Sequence, residues 1–438
     1  MHGNTLPIAA LAAATALADR AALLRAAEIV TLTVEKRNTY PILANVRLRG
    51  DGNVLFLTGT NLDVMIDVAV PAAADPHLDV TVSAHTLRDL LKGAPKAADM
   101  VSLAMPEPQR KVRMIDESYV DSESGEEATR QIEEVSFVTE PALCVDFDVA
   151  RYNLAGLASD SFPDLRGPMA RDDKGNPVAN YRRFTLPGAD LFAALDSVQF
   201  AISNEETRYY LNGVYMHVVT PGDKNRPELR FVTTDGHRMA RQELTAPDGS
   251  LDMPGVIIPK GTVAMLLRLL KPAKGKESPV VEIEVTDTRM RVMFDDVTVT
   301  SKTIEGTFPD YERVTPKQNG KAATIKAGAM QEAIKAVSLI ASDRGGKAVK
   351  LDFVGDTLTL SCCNPDSGTA TSSIAFDASD FGAGPFEIGF NSKYLSDMIA
   401  EAKADGDSVT FLFNDSGSPS LVRGSRDGWL GVLMPMRV

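Results

Sequence analysis

Asp235 and His237 are separated by one residue, a spacing at which a carboxylate can orient an imidazole for acid–base work. No nucleophile completes the pair: the chain has no Gly-x-Ser-x-Gly elbow, and the vicinal Cys362-Cys363 has no histidine partner in sequence. Asp235-Gly236 at the end of an apolar run reads instead as a turn that displays Arg238 at a surface, and the two thiols read as a buried, reduced pair. The 5 histidines are scattered, no two of them four residues apart on a helix, and no pair of Cys-x-x-Cys motifs exists. No zinc or other metal site is expected. A Walker loop and a dinucleotide fingerprint are both missing, so no cofactor is expected and the catalytic residues are none. A hydrolase on this scaffold would have to depend on His237.

The composition, 44% hydrophobic and 24% charged, is that of an ordinary globular protein. With 46 Lys and Arg against 59 Asp and Glu, the net charge is -13, so any nucleic-acid contact must rely on a local basic lining. An odd cysteine count, 3, fits a reducing cytosol rather than a disulfide framework. Leu6 to Leu17 is alanine-rich but lacks a basic lead-in and is interrupted by Asp19-Arg20, and it reads as a loose leader to a first helix. No run approaches transmembrane length, and no membrane contact is expected.

The elements that must position these residues repeat three times. Ala18 to Ile29, Ala189 to Ile202 and Ala327 to Ile340 read as amphipathic helices, each followed at a comparable distance by a second helix at Ser83 to Leu91, Lys260 to Arg268 and Ser392 to Ile399. Alternating segments such as Leu229 to Thr233, Val281 to Val285 and Ser408 to Phe413 read as strands between and after them. The expected architecture is α+β, three copies of a strand-rich, two-helix domain: 1–167, 168–316 and 317–438. The first copy carries an acidic insertion at about 105–140, read as disorder or a solvated hairpin. The chain closes on Leu433-Met434-Pro435-Met436-Arg437-Val438, a poor solvated tail but a suitable wall for an adaptable groove.

Thr234-Asp-Gly-His-Arg-Met-Ala240, Phe308-Pro-Asp-Tyr-Glu-Arg-Val314 and Met434-Pro-Met-Arg-Val438 together resemble the bacterial DNA polymerase III beta subunit, or beta sliding clamp, family. Arg37-Asn-Thr-Tyr-Pro-Ile-Leu43, Leu57 to Asp63, Arg208-Tyr-Tyr-Leu-Asn-Gly213 and Phe390-Asn-Ser-Lys-Tyr394 are similar to family stretches in the same order. The resemblance implies a DNA clamp fold in which two chains pair head to tail into a ring around duplex DNA, without reading its sequence. It implies Arg37, Arg208, Tyr209, Tyr210 and Lys260 as DNA contacts, with Lys92, Arg268 and Lys271 added from helix placement. It further implies a pocket for short peptides of the replicative polymerase, the clamp loader and repair proteins, made by Leu211, Thr234, Gly236, His237, Arg238, Met239, Pro309, Arg313, Val314, Val432, Leu433, Met434, Pro435, Met436, Arg437 and Val438. Arg238, Arg313 and Arg437 would fix polar or acidic peptide ends. Tyr152, Leu339 and Ile340 fall at interface positions of the homodimer, and the protein would be cytoplasmic and non-catalytic.

Some residues depart from the family pattern. Met239 and Val438 stand where leucine is common, changes a pocket tolerates. Glu205-Glu206 places negative charge beside Arg208, which motivates an alternative: a clamp-derived decoy that binds peptides without encircling DNA.

Overall fold

The computed structural model describes residues 14–36, 38–95, 98–106, 109–120, 127–138, 142–172, 174–222, 226–317, 320–340, 348–382, 384–404 and 406–437, with the backbone alone over most of 109–120 and 127–138. These fall into two compact units, Met1–Gly167 with Asp295–Thr300, and Pro168–Phe294 with Ser301–Val438.

In the first unit the expected leader is corrected at its inner end. Thr15–Asp19 is a strand, antiparallel to both Met100–Ala104 and Val64–Ala74. Alternation explains it: Ala16 and Ala18 are buried and small enough for a crowded ladder, while Leu17 faces out. Asp19 then caps helix α1, Arg20–Val30, by accepting from the Ala22 amide at 2.7 Å. Leu23, Ala26, Ala27 and Val30 give α1 one buried stripe, which packs on α2, Ala84–Gly93. Arg20 ties the two, donating to the Ala98 and Leu91 carbonyls at 2.7 and 3.2 Å. The acidic insertion is the hairpin of the two expected states: Gln109–Val120 pairs antiparallel with Glu127–Val138, in register from Gln109 opposite Val138 to Val120 opposite Glu127.

The second unit holds helices α3, Gly188–Gln199; α4, Lys260–Leu269; α5, Ala327–Ser338; and α6, Ser392–Lys403. They pack as α3 on α4 and α5 on α6, each pair repeating the α1–α2 arrangement. Met330, Ala333, Ile334 and Val337 form the buried stripe of α5, and each large side chain there contributes roughly 1.5–3 kcal/mol.

Strand pairing in this unit crosses the repeat in a way that no local pattern announces. One sheet runs Val256–Pro259, Gly213–Val219, Glu228–Thr234, Arg238–Thr245, Trp429–Leu433, Ser420–Arg423, Ser408–Phe413 and Lys321–Lys326. The join lies between Arg238–Thr245 and Trp429–Leu433, antiparallel with Arg238 opposite Leu433 and Gln242 opposite Trp429. Trp429 secures it by donating its indole N–H to the Ser197 carbonyl at 3.0 Å while its ring enters the core around α5 and α6. A Cβ at Gly431 would lie 2.2 Å from Met398 Sδ, so α6 packs closely on this strand where it carries no side chain. A second sheet, Gly368–Ala375, Thr357–Asn364, Ala348–Val354 and Phe386–Asn391, covers the other side of that core.

The expected buried thiol pair is not one. Cys362 is buried and Cys363 exposed, because neighbours along a strand point to opposite faces.

Candidate peptide pocket and nucleic-acid-facing residues

The Thr234 to Arg238 turn is built by its own side chains. Thr234 Oγ1 donates to the Arg238 carbonyl at 2.8 Å and accepts from the Gly236 amide at 3.1 Å, and Asp235 Oδ1 accepts from the His237 and Arg238 amides at 2.9 and 3.0 Å. Gly236 sits at φ +89, where a side chain would be strained and would also meet the Arg208 guanidinium at 2.9 Å. Asp235 is thereby committed to the backbone and to Arg238 rather than to the His237 ring. The His237 ring instead stacks on Tyr394, 5.9 Å between centroids.

Arg238 corrects the sequence reading. Only 7% of it is exposed, and its guanidinium bonds Asp235, Asp397 and the Phe200 carbonyl instead of being displayed. The turn points it inward, where three elements supply acceptors for a charge that would be costly to bury alone.

The tail leaves the sheet directly beside this turn. Met434 N–H donates to the His237 carbonyl and Met436 N–H to the Gly389 carbonyl, both at 2.9 Å, so the end is tied at two points. Leu211, Met239 and Val432 join Phe308 and Tyr311 in one apolar cluster, and Leu433 belongs to the core of α5 and α6. Pro309, Val314, Met434 and Arg437 are exposed, with Pro435 and Met436 partly so. Arg313 is exposed and paired with Asp310 at 3.0 Å. Val438 lies outside the described residues. Tyr394 and Asp397, which complete the frame of the turn, were missed as site residues, although Tyr394 stands inside a segment whose family likeness is legible.

Of the expected DNA contacts, Arg37 lies outside the described residues. Arg208 belongs to the Glu206–Leu211 3-10 turn and is ion-paired with Glu205, whose carboxyl the guanidinium holds below the usual glutamate range. Tyr209 is exposed and meets Tyr210 edge-on at 5.8 Å. Lys260 opens α4 and donates to Asn204 at 2.5 Å. Lys92 and Arg268 occupy the last turns of α2 and α4, and both are exposed, as is Lys271. At the expected dimer positions, Tyr152 is exposed and edge-on to Phe147, Leu339 is 81% exposed, and Ile340 packs on the core around α5 and α6.

A cleft of about 730 Å³, lined in part by Tyr215, His217, Arg230, Phe308, Pro309 and Tyr311, holds a charged network. Arg230 bonds Glu228, Glu243 and Glu312 at 3.1, 3.0 and 2.5 Å, and His217 lies 3.0 Å from the Tyr311 hydroxyl, stacked on Tyr215. Burial, with Arg230 and Arg241 nearby, pushes the His217 imidazole down to about 4 from 6.5. Between those values the unfolded chain binds a proton that the folded one refuses. Stability is therefore full above pH 6.5 and falls as the pH drops toward 4, by about 3 kcal/mol at most. Thermal melts across that window should show the loss, and His217→Gln should flatten the slope; an unchanged slope would remove His217 as the cause.

With this geometry in hand, the chain can be compared with known proteins. It matches models of the DNA polymerase III beta subunit for the N-terminal domain over residues 17–166, the central domain over 185–310 and the C-terminal domain over 312–437. It is 35% identical over 421 residues to the beta sliding clamp of Caulobacter vibrioides (strain NA1000 / CB15N), covering 96% of this chain and 99% of that one. Identity is 30% over 424 residues to the beta sliding clamp of Pseudomonas putida, again with 96% and 99% covered. Among solved structures, a DnaN sliding clamp from Bartonella birtlesii bound to griselimycin aligns with TM-score 0.79 at 33% identity, covering 97% of this chain and 100% of that one. The DNA polymerase sliding clamp from Caulobacter crescentus aligns with TM-score 0.79 at 34% identity and the same coverage. With three domain models in chain order and relatives matched from end to end, this chain belongs to the DNA polymerase III beta subunit family, the beta sliding clamps, as a three-domain α+β clamp and a non-catalytic subunit that confers processivity on the polymerase.

Proposed function

We propose that two copies of this chain close head to tail into a cytoplasmic ring around duplex DNA and hold partner proteins there through short peptides. The observation that carries the recruiting half is the tail: its backbone is bonded to His237 and Gly389, which sets Met434 beside the turn that leads into Met239 and Met436 beside the strand Phe386–Asn391. Leu211, Thr234, Gly236, His237, Met239, Pro309, Val314 and Val432 to Val438 form the pocket, with soft methionine surface to accept varied side chains. Arg313 and Arg437 supply charge at its rim, and Arg238 braces it from within.

In the ring, Arg37, Arg208, Tyr209, Tyr210 and Lys260 face the duplex and neutralise phosphates without reading bases. Tyr152 of one copy and Leu339 and Ile340 of the other belong to the dimer contact, and the clamp domains are 1–167, 168–316 and 317–438. The partners are the replicative polymerase, the clamp loader and repair proteins.

Loading the protein with its clamp loader onto nicked circular duplex, then filtering by size, tests the ring. The protein should remain with the circle through high salt and be lost when the circle is cut once. Equal retention on linear duplex, or none on the circle, overturns encirclement. The Arg208–Glu205 ion pair favours one second reading, the decoy, because it removes a free cation from the DNA path. Normal peptide binding with no retention on circles would select it.

A further inference from the structure

Arg238 has little left to offer a ligand. Nε donates to Asp235 at 3.0 Å, Nη1 to Asp397 at 2.7 Å and Nη2 to the Phe200 carbonyl at 2.7 Å, while the rings of Phe200 and Tyr394 lie 5.1 and 4.5 Å from Cζ. Asp235 and the Phe200 carbonyl come from the same half of this unit. Asp397 does not: it is 159 residues further along the chain, on α6.

The next residue of α6, Met398, lies directly under Gly431 of the neighbouring strand. Consecutive residues of one helix therefore set both strands that end at the pocket. Met398 supports Trp429–Leu433, and Asp397 holds the residue that opens Arg238–Thr245.

We infer that Asp397 is a positioning residue for the peptide pocket, acting through Arg238; this rests on the pocket reading given above. Its carboxylate anchors the buried guanidinium, which keeps Arg238 opposite Leu433 and the His237 carbonyl in place to receive the Met434 amide. Without that anchor the guanidinium is left with one carboxylate in a poorly solvated site and turns toward water, dragging the turn with it. Met239, on the strand that Arg238 opens, and Met434, bonded to His237, then lose their relative placement. Asp397 itself does not touch the peptide.

Fluorescence anisotropy with two labelled clamp-motif peptides, one carrying an acidic residue and one with that residue amidated, tests the role. Asp397→Asn, which preserves shape and an acceptor, should weaken both peptides by about 5–10-fold. Arg238→Met should weaken both at least as much, and the double variant should bind no worse than Arg238→Met alone, since the two act as one unit. Wild-type affinity in Asp397→Asn overturns the inference, as does a lowered melting temperature with unchanged affinity. So does an Arg238→Met loss confined to the acidic peptide, which would signify direct contact. A chain lacking Met434 to Val438 separates the two ideas. If it still binds peptide, the pocket reading itself fails; if it does not while Asp397→Asn binds normally, only the positioning role falls.

Discussion

Removing Met434 to Val438 abolishes binding of a clamp-motif peptide and leaves the dimer intact. The strand ends at Leu433, whose partner is Arg238, so the deletion stops just outside the ladder and the sheet keeps every paired residue. What disappears is a wall. Met434 and Met436 go, together with the amide that donates to His237. A peptide that buries two apolar side chains against those methionines loses about 3–6 kcal/mol, since one such burial is worth roughly 1.5–3 kcal/mol. That corresponds to a drop of at least about a hundredfold in affinity. Anisotropy titration measures the loss, and light scattering on the same sample should still report the dimer mass. Unchanged peptide affinity would refute the assignment of the tail to the pocket.

Leu339→Asp should produce the complementary phenotype: a monomer that binds peptide normally but is not retained on circular DNA. Leu339 follows the end of α5 and, at 81% exposure, is a large apolar side chain with almost no cover from its own chain. Its replacement therefore removes little internal packing, and folding should survive. At the proposed contact, an unpaired carboxylate facing apolar surface costs about 2–4 kcal/mol. A head-to-tail ring of two copies contains that contact twice, so the penalty doubles to roughly 4–8 kcal/mol. The dimer constant should weaken by about a thousandfold or more. Light scattering over a dilution series reads the effect, and a dimer as tight as wild type would place Leu339 outside the interface. Because peptide affinity belongs to a different set of residues, it serves as the internal control for folding.

Much of this molecule was legible because helices and turns are local. The stripe Met330, Ala333, Ile334 and Val337 announces α5 through spacing alone, and its two counterparts make the threefold repeat visible. Asp235-Gly236 announces its turn because only glycine is comfortable at the required positive φ. The acidic stretch at 105–140 could be narrowed to two states but not to one, since polar composition is compatible with both a solvated ribbon and no structure. Thr15 to Leu17 reads as leader, and Ala18 as the start of the helix, because a short run of alternating small side chains is a weak strand signal and the two partner strands of Thr15–Asp19 lie far along the chain.

The site divides along the same line. Sequence by itself determined the fold class, the repeat, the family and the presence of a methionine-rich tail that had to be held by something. Only the tertiary structure decided what holds it. Residues 238 and 433 become neighbours through a ladder that spans two repeats, and register between distant strands is set by cooperative packing rather than by either segment alone. The same holds for Arg238. Its charge suggests a surface role, yet Asp397, Phe200 and Tyr394 arrive from elsewhere to satisfy it, and a guanidinium with enough partners is stable where its sequence neighbours would never place it.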